Sequence, residues 1–112
     1  MAATDITAQA AFTEVSDLWK WKTAKEGDIH PRDMRTSHLF YTFRMIWNNH
    51  APRHARVGKV KLYRFGPEYT PQYFKEAIRF MGGELARRDD LDDWQVEELN
   101  EMARHFSHRI EQ

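Results

Sequence analysis

The sequence predicts a mainly α-helical protein, with three or four helices around an aromatic core and one small β-hairpin. Apolar residues recur at helical spacing in several segments, and some of these segments begin with residues that favour helix starts. From Trp19 to Thr23, large apolar residues alternate with basic ones, which is the period of a half-buried strand. Aromatic residues make up 13% of the 112 residues. We expect a single domain over residues 1–112, with residues 1–6 as a flexible tail.

The N-terminal third is predicted to contain a helix and the hairpin. Apolar side chains at helical spacing predict a helix over about residues 7–18, with Asp5 or Thr7 as its N-cap. The alternating stretch then forms the first strand of the hairpin. Gly27 can adopt the positive φ of a tight turn, and Ile29 begins the return strand.

The second helix is expected from Met34 to Asn48, with Asp33 as the N-cap, because its carboxylate can accept from the free N–H groups of the first turn. His38 is expected to be partly buried and to bond to the hairpin backbone. The apolar arc of this helix is wide and includes Leu39, Phe40, Tyr41, Phe43, Met45, Ile46 and Trp47. Helices that are apolar nearly all round are buried or lie at interfaces. We therefore expect part of this helix, or of the hairpin, to serve an interface, of which a homodimer is one form.

Two further helices follow. Thr70-Pro71 is a typical helix start, with a hydroxyl at the N-cap and proline at the first helical position. Gly82-Gly83 interrupts this helix and indicates close packing against a neighbouring aromatic residue. A final helix is predicted from a cap at Asp90 or Asp92 to about Arg109, with acidic residues in its first turns and basic residues in its last turns.

The best candidate for function is a basic segment between the second and third helices, where a strand is predicted over residues 59–65. No acidic residue occurs from position 50 to position 67. The candidate binding residues are Arg53, Arg56, Lys59, Lys61, Tyr63 and Arg64. Basic and aromatic residues together, including Phe65, suit phosphate contacts and base stacking. The alternative is a solvated basic loop that balances the acidic final helix within the same molecule.

Composition excludes several classes of function. The 17 basic and 17 acidic residues give zero formal charge, which argues neither for nucleic-acid binding nor for nucleic-acid mimicry. The absence of cysteine removes disulfides, cysteine zinc sites and thiol nucleophiles. No secretory signal or long apolar run is found, so a cytoplasmic protein is expected.

Signs of catalysis are also missing from the sequence. No nucleophile elbow, phosphate-binding glycine loop or metal motif occurs, and the histidine pairs 50/54 and 105/108 have ordinary explanations. We therefore expect no enzyme, no metal and no cofactor.

One motif resembles a pattern common in small phage- and prophage-encoded proteins. The pattern is a W-x-T-x-x-(D)G-x-x-I hairpin followed by a helix that opens with D-M-x-x-x-H-L. The matching residues here are Trp21, Thr23, Gly27, Ile29, Asp33, Met34, His38, Leu39 and Met45. Glu26-Gly27 replaces the usual Asp-Gly, and one more residue separates Thr23 from the turn. The resemblance covers about a quarter of the chain and implies a structural module in a phage setting, without an activity.

These observations together favour a small phage-type interaction protein that binds and modulates a larger host or phage protein in the host bacterial cell. A host-defence inhibitor such as an anti-CRISPR protein is one case. The alternative is a nucleotide- or nucleic-acid-binding module that uses residues 53–65.

Overall fold

The computed structural model describes residues 6–23, 25 and 27–110, and their side chains up to Ser107. In this part of the chain the fold is mainly helical with one small antiparallel hairpin, as predicted. The helices are α1 (Thr7–Ala11), α2 (Thr36–His50), α3 (Pro71–Ala86) and α4 (Asp93–Ile110), and the strands are β1 (Trp21–Lys22) and β2 (Asp28–Ile29). Short 3-10 helices cover Pro31–Asp33 and Arg53–Ala55. The predicted tail lies outside the described residues except for Ile6, which is exposed.

Helix α1 is much shorter than predicted, so the prediction of a helix over residues 7–18 was wrong. It follows Ile6 without a side-chain cap from that residue and ends at Ala11. Ser16 explains part of the difference, because its Oγ accepts hydrogen bonds from the N–H groups of Leu18 and Trp19. Such a local bond offers the backbone an alternative to helix. The proposed cap Asp5 lies outside the described residues.

The predicted hairpin is confirmed. Trp21 of β1 lies opposite Ile29 of β2. Gly27 has a φ of 78°, and its carbonyl accepts from the Thr23 N–H at 3.1 Å and from the Thr23 hydroxyl at 2.6 Å. Gly27 therefore takes part in the turn, with the positive φ that the sequence predicted.

Two tyrosines of the α3 region fix the hairpin against the helices. The Tyr73 hydroxyl donates to the carbonyl of Lys20 and accepts from the N–H of Lys22, each at 2.8 Å. The Tyr69 hydroxyl donates to the carbonyl of Lys22 at 2.7 Å. Trp21 stacks on Tyr73 with ring centroids 5.7 Å apart. Burial raises the pKa of Tyr73 still further above neutrality.

Asp33 does not cap α2, and this prediction was wrong. It ends the 3-10 helix Pro31–Asp33, and α2 begins only at Thr36, two residues later than expected. Arg35 occupies the N-cap position, and its side chain carries no hydrogen-bond acceptor. The Thr36 hydroxyl donates to a carboxylate oxygen of Asp90 at 2.7 Å. A tertiary contact therefore holds the start of α2 where a local cap was expected.

The prediction that His38 bonds to the hairpin backbone was also wrong, because His38 is exposed on α2. His30, at the end of the hairpin, is the buried histidine that meets the backbone. Its Nδ1 accepts from the N–H of Arg32 at 3.1 Å, so Nε2 carries the proton and donates to the carbonyl of Ser16 at 2.6 Å. One imidazole thus joins β2 to the segment after α1.

The core is built around α2, whose apolar side chains Leu39, Phe40, Phe43, Ile46 and Trp47 are fully buried. Helix α3 packs along α2, and α1 packs against α4 and α3. Most of the aromatic surplus of α2 is therefore buried inside one chain. Tyr41 is the exception, with 49% of its surface exposed.

Gly82 and Gly83 mark the close contact that the sequence predicts. A methyl group on Gly82 would lie 2.9 Å from the ring of Phe12 and 3.2 Å from that of Phe43. On Gly83 it would overlap the backbone carbonyl of Glu14. Phe12 also packs edge-on against Phe43, with centroids 5.5 Å apart. The small residues of α3 therefore make room for the segment that follows α1.

The start of α3 uses the predicted cap, and the start of α4 uses a different hydrogen bond at one of the two predicted caps. The Thr70 hydroxyl accepts from the N–H of Tyr73 at 3.1 Å, which confirms the cap of α3. Asp92 directly precedes α4, and its N–H donates to Oε1 of Gln95 at 2.8 Å, as in a capping box. Asp90, the other predicted cap, accepts from Thr36.

We expect Thr70, which caps α3, and Asp33, which caps no helix, to differ in stability experiments. Thr70→Ala should lower the free energy of unfolding by about 1 kcal/mol, because it leaves an N–H of the first turn without its acceptor. Asp33→Ala should cost less than half of that. Urea denaturation of both variants measures the difference, and an equal loss would contradict the assignment of the caps.

Gly83→Ala should destabilise the protein although alanine is the better helix former. The propensity gain is about 1 kcal/mol, whereas the clash with the Glu14 carbonyl should produce a net loss of about 1–3 kcal/mol. Gln72→Ala, at an exposed position of α3, is the control and should be nearly neutral. A stabilised Gly83→Ala variant would show that this contact is loose.

Candidate functional site

The basic segment, Arg53 to Arg64, lies on the surface between α2 and α3. The strand predicted over residues 59–65 does not form, so this prediction was wrong. Beyond the 3-10 helix Arg53–Ala55, residues 56–65 have no regular secondary structure. The physical reason is the lack of a partner: the strands in the described part of the chain pair only with each other.

The end of α2 holds the first part of this segment. Asn48 is buried, and its Oδ1 accepts from the N–H of Val57 at 2.8 Å while its Nδ2 donates to the carbonyl of Val57 at 2.9 Å. The indole N–H of Trp47 donates to the carbonyl of Ala55 at 2.8 Å. Asn48 therefore gives Val57 the two hydrogen bonds that a neighbouring strand would give.

A second anchor lies one residue further along α2. Oδ1 of Asn49 accepts from the N–H of Tyr63 at 2.9 Å, and Nδ2 of Asn49 donates to the carbonyl of Met45 at 2.7 Å. Beyond Tyr63, the ring of Phe65 packs on that of Phe74 with centroids 5.0 Å apart. Residues 58–62 are thus fixed at both ends.

Sequence patterns did not predict these anchors, because asparagines at positions 48 and 49 are also typical of a helix end. The only signal in the sequence was a pair of amide side chains beside a long irregular segment whose backbone needs hydrogen-bond partners.

Gly58 places the segment against α4. It has a φ of 69°, a conformation that side chains other than glycine rarely adopt. A methyl group there would lie 2.7 Å from Nη1 of Arg44 and from Oε1 of Glu98. Arg44 and Glu98 form a largely buried ion pair at 2.7 Å. The chain therefore crosses directly over this ion pair.

Most of the predicted binding residues are accessible. The side chains of Arg53, Lys59, Lys61, Tyr63 and Arg64 are exposed, as are the apolar side chains of Val60 and Leu62. Arg56 differs, because it is only partly exposed and its Nε is buried without a hydrogen-bond partner among the described residues. None of the five basic side chains forms an ion pair with a described residue. Within this part of the chain, the predicted internal pairing with α4 is therefore not made.

Next to the basic segment lies a surface of opposite charge, which we call the acidic face. It consists of Tyr41 on α2 and of Trp94, Glu97, Glu98 and Glu101 on one side of α4. The α4 residues follow the spacing i, i+3, i+4 and i+7, which places them on one side of a helix. Tyr41 and Trp94 are 49% and 41% exposed, with ring centroids 6.2 Å apart.

Arg44 lies at the base of the acidic face and joins it to the basic segment. Its guanidinium carbon is 5.3 Å from the ring of Tyr41 and 5.9 Å from that of Trp94, in cation–π contact with both. Since Arg44 also meets Gly58, the two surfaces of opposite charge are neighbours.

A cavity of about 560 Å³ lies elsewhere, between α1, α3 and the ends of α2 and α4. Its size is within the range of small-molecule sites. Its strongest charges cancel, because Arg79 binds both carboxylate oxygens of Glu14, at 2.6 and 2.9 Å. These hydrogen bonds from Arg79 lower the pKa of Glu14. The wall residues are Ala11, Thr13, Glu14, Trp47, His50, Lys75, Ile78, Arg79 and Phe106.

The histidines are not arranged as a metal site in the described part of the chain. His54 and His105 lie with ring centroids 6.3 Å apart, and His50 stacks on Phe74. The side chain of His108 lies outside the described residues. No group of three or more candidate ligands comes together among those that are described. In the same residues, no helix has the length and apolar character needed to cross a membrane.

We expect Asn48→Ala to release the basic segment. The variant leaves the N–H and carbonyl of Val57 buried without partners, which should lower the free energy of unfolding by about 2–4 kcal/mol. Trypsin should also cleave native protein faster after Lys59 and Lys61. Ser37→Ala, exposed on α2, should change neither urea denaturation nor the cleavage rate. Unchanged proteolysis of Asn48→Ala would show that other contacts hold the segment.

Comparison with known proteins identifies no relative: no family model, no curated protein and no solved structure matches this chain significantly. Function must therefore be inferred from the basic segment and its surroundings.

Proposed function

We propose that this chain is an interaction protein that binds an acidic surface of a larger protein through its basic segment. The observation that supports this most directly is the anchoring of residues 58–62. Asn48 and Asn49 hold the main chain at Val57 and Tyr63, while the side chains between these points face solvent.

Anchoring matters because binding normally loses free energy to the ordering of flexible segments. A segment already held at both ends loses less conformational freedom when a partner docks. The charges also need an explanation other than stability. Exposed ion pairs contribute only about 0–1 kcal/mol each, and the basic side chains here make none with described residues. Unpaired cations on a fixed segment suit recognition of an acidic partner and steer its approach.

The side chains between the anchors favour a protein over a nucleic acid as the partner. Val60 and Leu62 are 45% and 51% exposed, and aliphatic side chains supply apolar contact without the flat face that stacks on bases. The Tyr63 ring is exposed, but Nζ of Lys61 lies 5.5 Å from its centroid. The ring of Phe65, which the sequence suggested for stacking, packs on Phe74 and Tyr69.

We extend the proposal to the phage-type setting that the hairpin and helix pattern implies. The partner is then a host or phage protein in the bacterial cell, and inhibition of host defence, as by an anti-CRISPR protein, is one outcome of binding. The support is the resemblance itself. In the fold, Trp21, Met34 and Leu39 of the pattern are buried and Gly27 forms the hairpin turn, so these residues build a module. The proposal is for binding without catalysis.

A capture experiment with matched charge reversals tests the proposal. The test variant replaces Lys59, Lys61 and Arg64 with glutamate and leaves the partly buried Arg56 in place. The control replaces Lys20, Lys75 and Arg87, which are exposed elsewhere, and changes the net charge equally. We expect the wild type and the control to capture the same protein from a bacterial lysate, and the test variant to capture at least tenfold less. Equal capture by both variants would contradict the proposal.

The nucleic-acid alternative is tested with the same proteins. Fluorescently labelled single-stranded and double-stranded DNA and RNA are titrated at 50 and 200 mM salt. Counterion release would make affinity fall steeply with salt if phosphates were bound. We expect the control variant and the test variant not to differ in nucleic-acid binding. If the control variant binds a nucleic acid with a steep salt dependence and the test variant does not, the partner is a nucleic acid and not a protein.

A further inference from the structure

We propose that two copies of this chain associate about a two-fold axis, with the basic segment of each copy lying on the acidic face of the other. This inference rests on the proposed function, because it uses the same segment as a binding surface, and it adds a form of regulation. In the pair, the segment is covered and unavailable to any other partner.

The basic segment and the acidic face are neighbours on the surface. Gly58, near the middle of the basic segment, contacts the ion pair of Arg44 and Glu98, so the two surfaces adjoin each other. Neighbouring patches of opposite charge are self-complementary under a two-fold rotation. An axis between them brings the basic patch of each copy onto the acidic patch of the other, and the contact forms twice.

Apart from Glu98, which pairs with Arg44, the charged side chains of the two surfaces do not pair within one copy among the described residues. Lys59, Lys61 and Arg64 form no ion pair with any described residue, and neither do Glu97 and Glu101. The anchors fix the main chain at Val57 and Tyr63, on either side of Lys59 and Lys61. A second copy supplies the missing counter-charges. Zero net charge, from 17 basic and 17 acidic residues, means that the two copies do not repel each other as a whole.

The two surfaces also carry exposed apolar side chains. Charge pairs at a surface give specificity but little affinity, so a stable pair also needs apolar contact. The exposed large apolar side chains on the two surfaces are Val60, Leu62, Tyr63, Tyr41 and Trp94. Tyrosine and tryptophan are enriched among the hot-spot residues that carry most of the binding energy of an interface. Each of the two surfaces thus combines charge with apolar area.

Pairing of this kind would regulate binding by mass action. At high concentration the copies cover each other's basic segments, and dilution or a partner with a more acidic surface releases them. Dimerisation and capture of a partner would then exclude each other.

Analytical ultracentrifugation of the full chain tests the pairing. We expect a monomer–dimer equilibrium at 50 mM salt that shifts at least tenfold toward monomer at 500 mM, because screening weakens exposed charge pairs. Two double variants, Lys59→Glu/Lys61→Glu and Glu97→Lys/Glu101→Lys, should each be monomeric, since like charges then face each other. All four positions are exposed, and a wild-type circular dichroism spectrum with a cooperative thermal melt establishes that both variants fold.

Mixing the two variants gives the decisive result. In the mixed pair, the reversed segment of one faces the reversed helix of the other, and the unaltered surfaces meet at the second contact. We therefore expect an equimolar mixture to recover the wild-type dimer. If one double variant fails to fold, Lys61→Glu and Glu97→Lys provide the same test.

Two results would overturn the inference: a wild type that stays monomeric at low salt, or a mixture that stays monomeric. Either result leaves the proposed function intact if the lysate partner is still captured. A dimer without any captured partner would contradict the proposed function alone.

Discussion

The apolar breadth of α2 is the constraint on which the rest of the structure depends. Because Leu39, Phe40, Phe43 and Trp47 are all fully buried, no single neighbouring helix can cover them. The chain therefore surrounds α2, and an irregular segment covers its C-terminal end. A covering segment brings polar backbone groups toward the core, and each needs a hydrogen-bond partner. Side chains in the last turns of α2 supply these partners. Helix α2 therefore both requires the covering segment and holds it in place.

Local chemistry made parts of the fold predictable. Thr70, Gly27 and Gly82 act through their immediate neighbours, and the structure uses each as the sequence indicated. The failures share one physical cause. Ser16 forms a local turn inside the stretch predicted to be helical, and the carboxylate of Asp90, not that of Asp33, contacts the start of α2. In both cases a tertiary or competing hydrogen bond replaced the local signal, and a sequence pattern cannot rank such alternatives.

The candidate site shows the same division. Charge alone identified the basic segment, because a run of cations without acids is visible in any sequence and must reach solvent or a counter-charge. Its conformation was not visible. Alternation at Val60 and Leu62 predicted a strand, but a strand needs a neighbour, and in the described part of the chain an asparagine side chain takes that place at Val57. The pairing of Tyr41 with Trp94 depends on how α2 and α4 pack, so it also lay beyond the sequence.

The anchors of the basic segment have a consequence for evolution and engineering. Asn48 and Asn49 form hydrogen bonds with main-chain atoms of Val57 and Tyr63. Every residue except proline has these main-chain groups. The exposed side chains at positions 59–62 contribute nothing to the core. Mutations in this window can therefore change the charge and shape of the surface while the scaffold keeps its stability. The residues that hold the loop are thus distinct from the exposed residues to which we assign partner binding, much as antibodies separate framework from hypervariable loops.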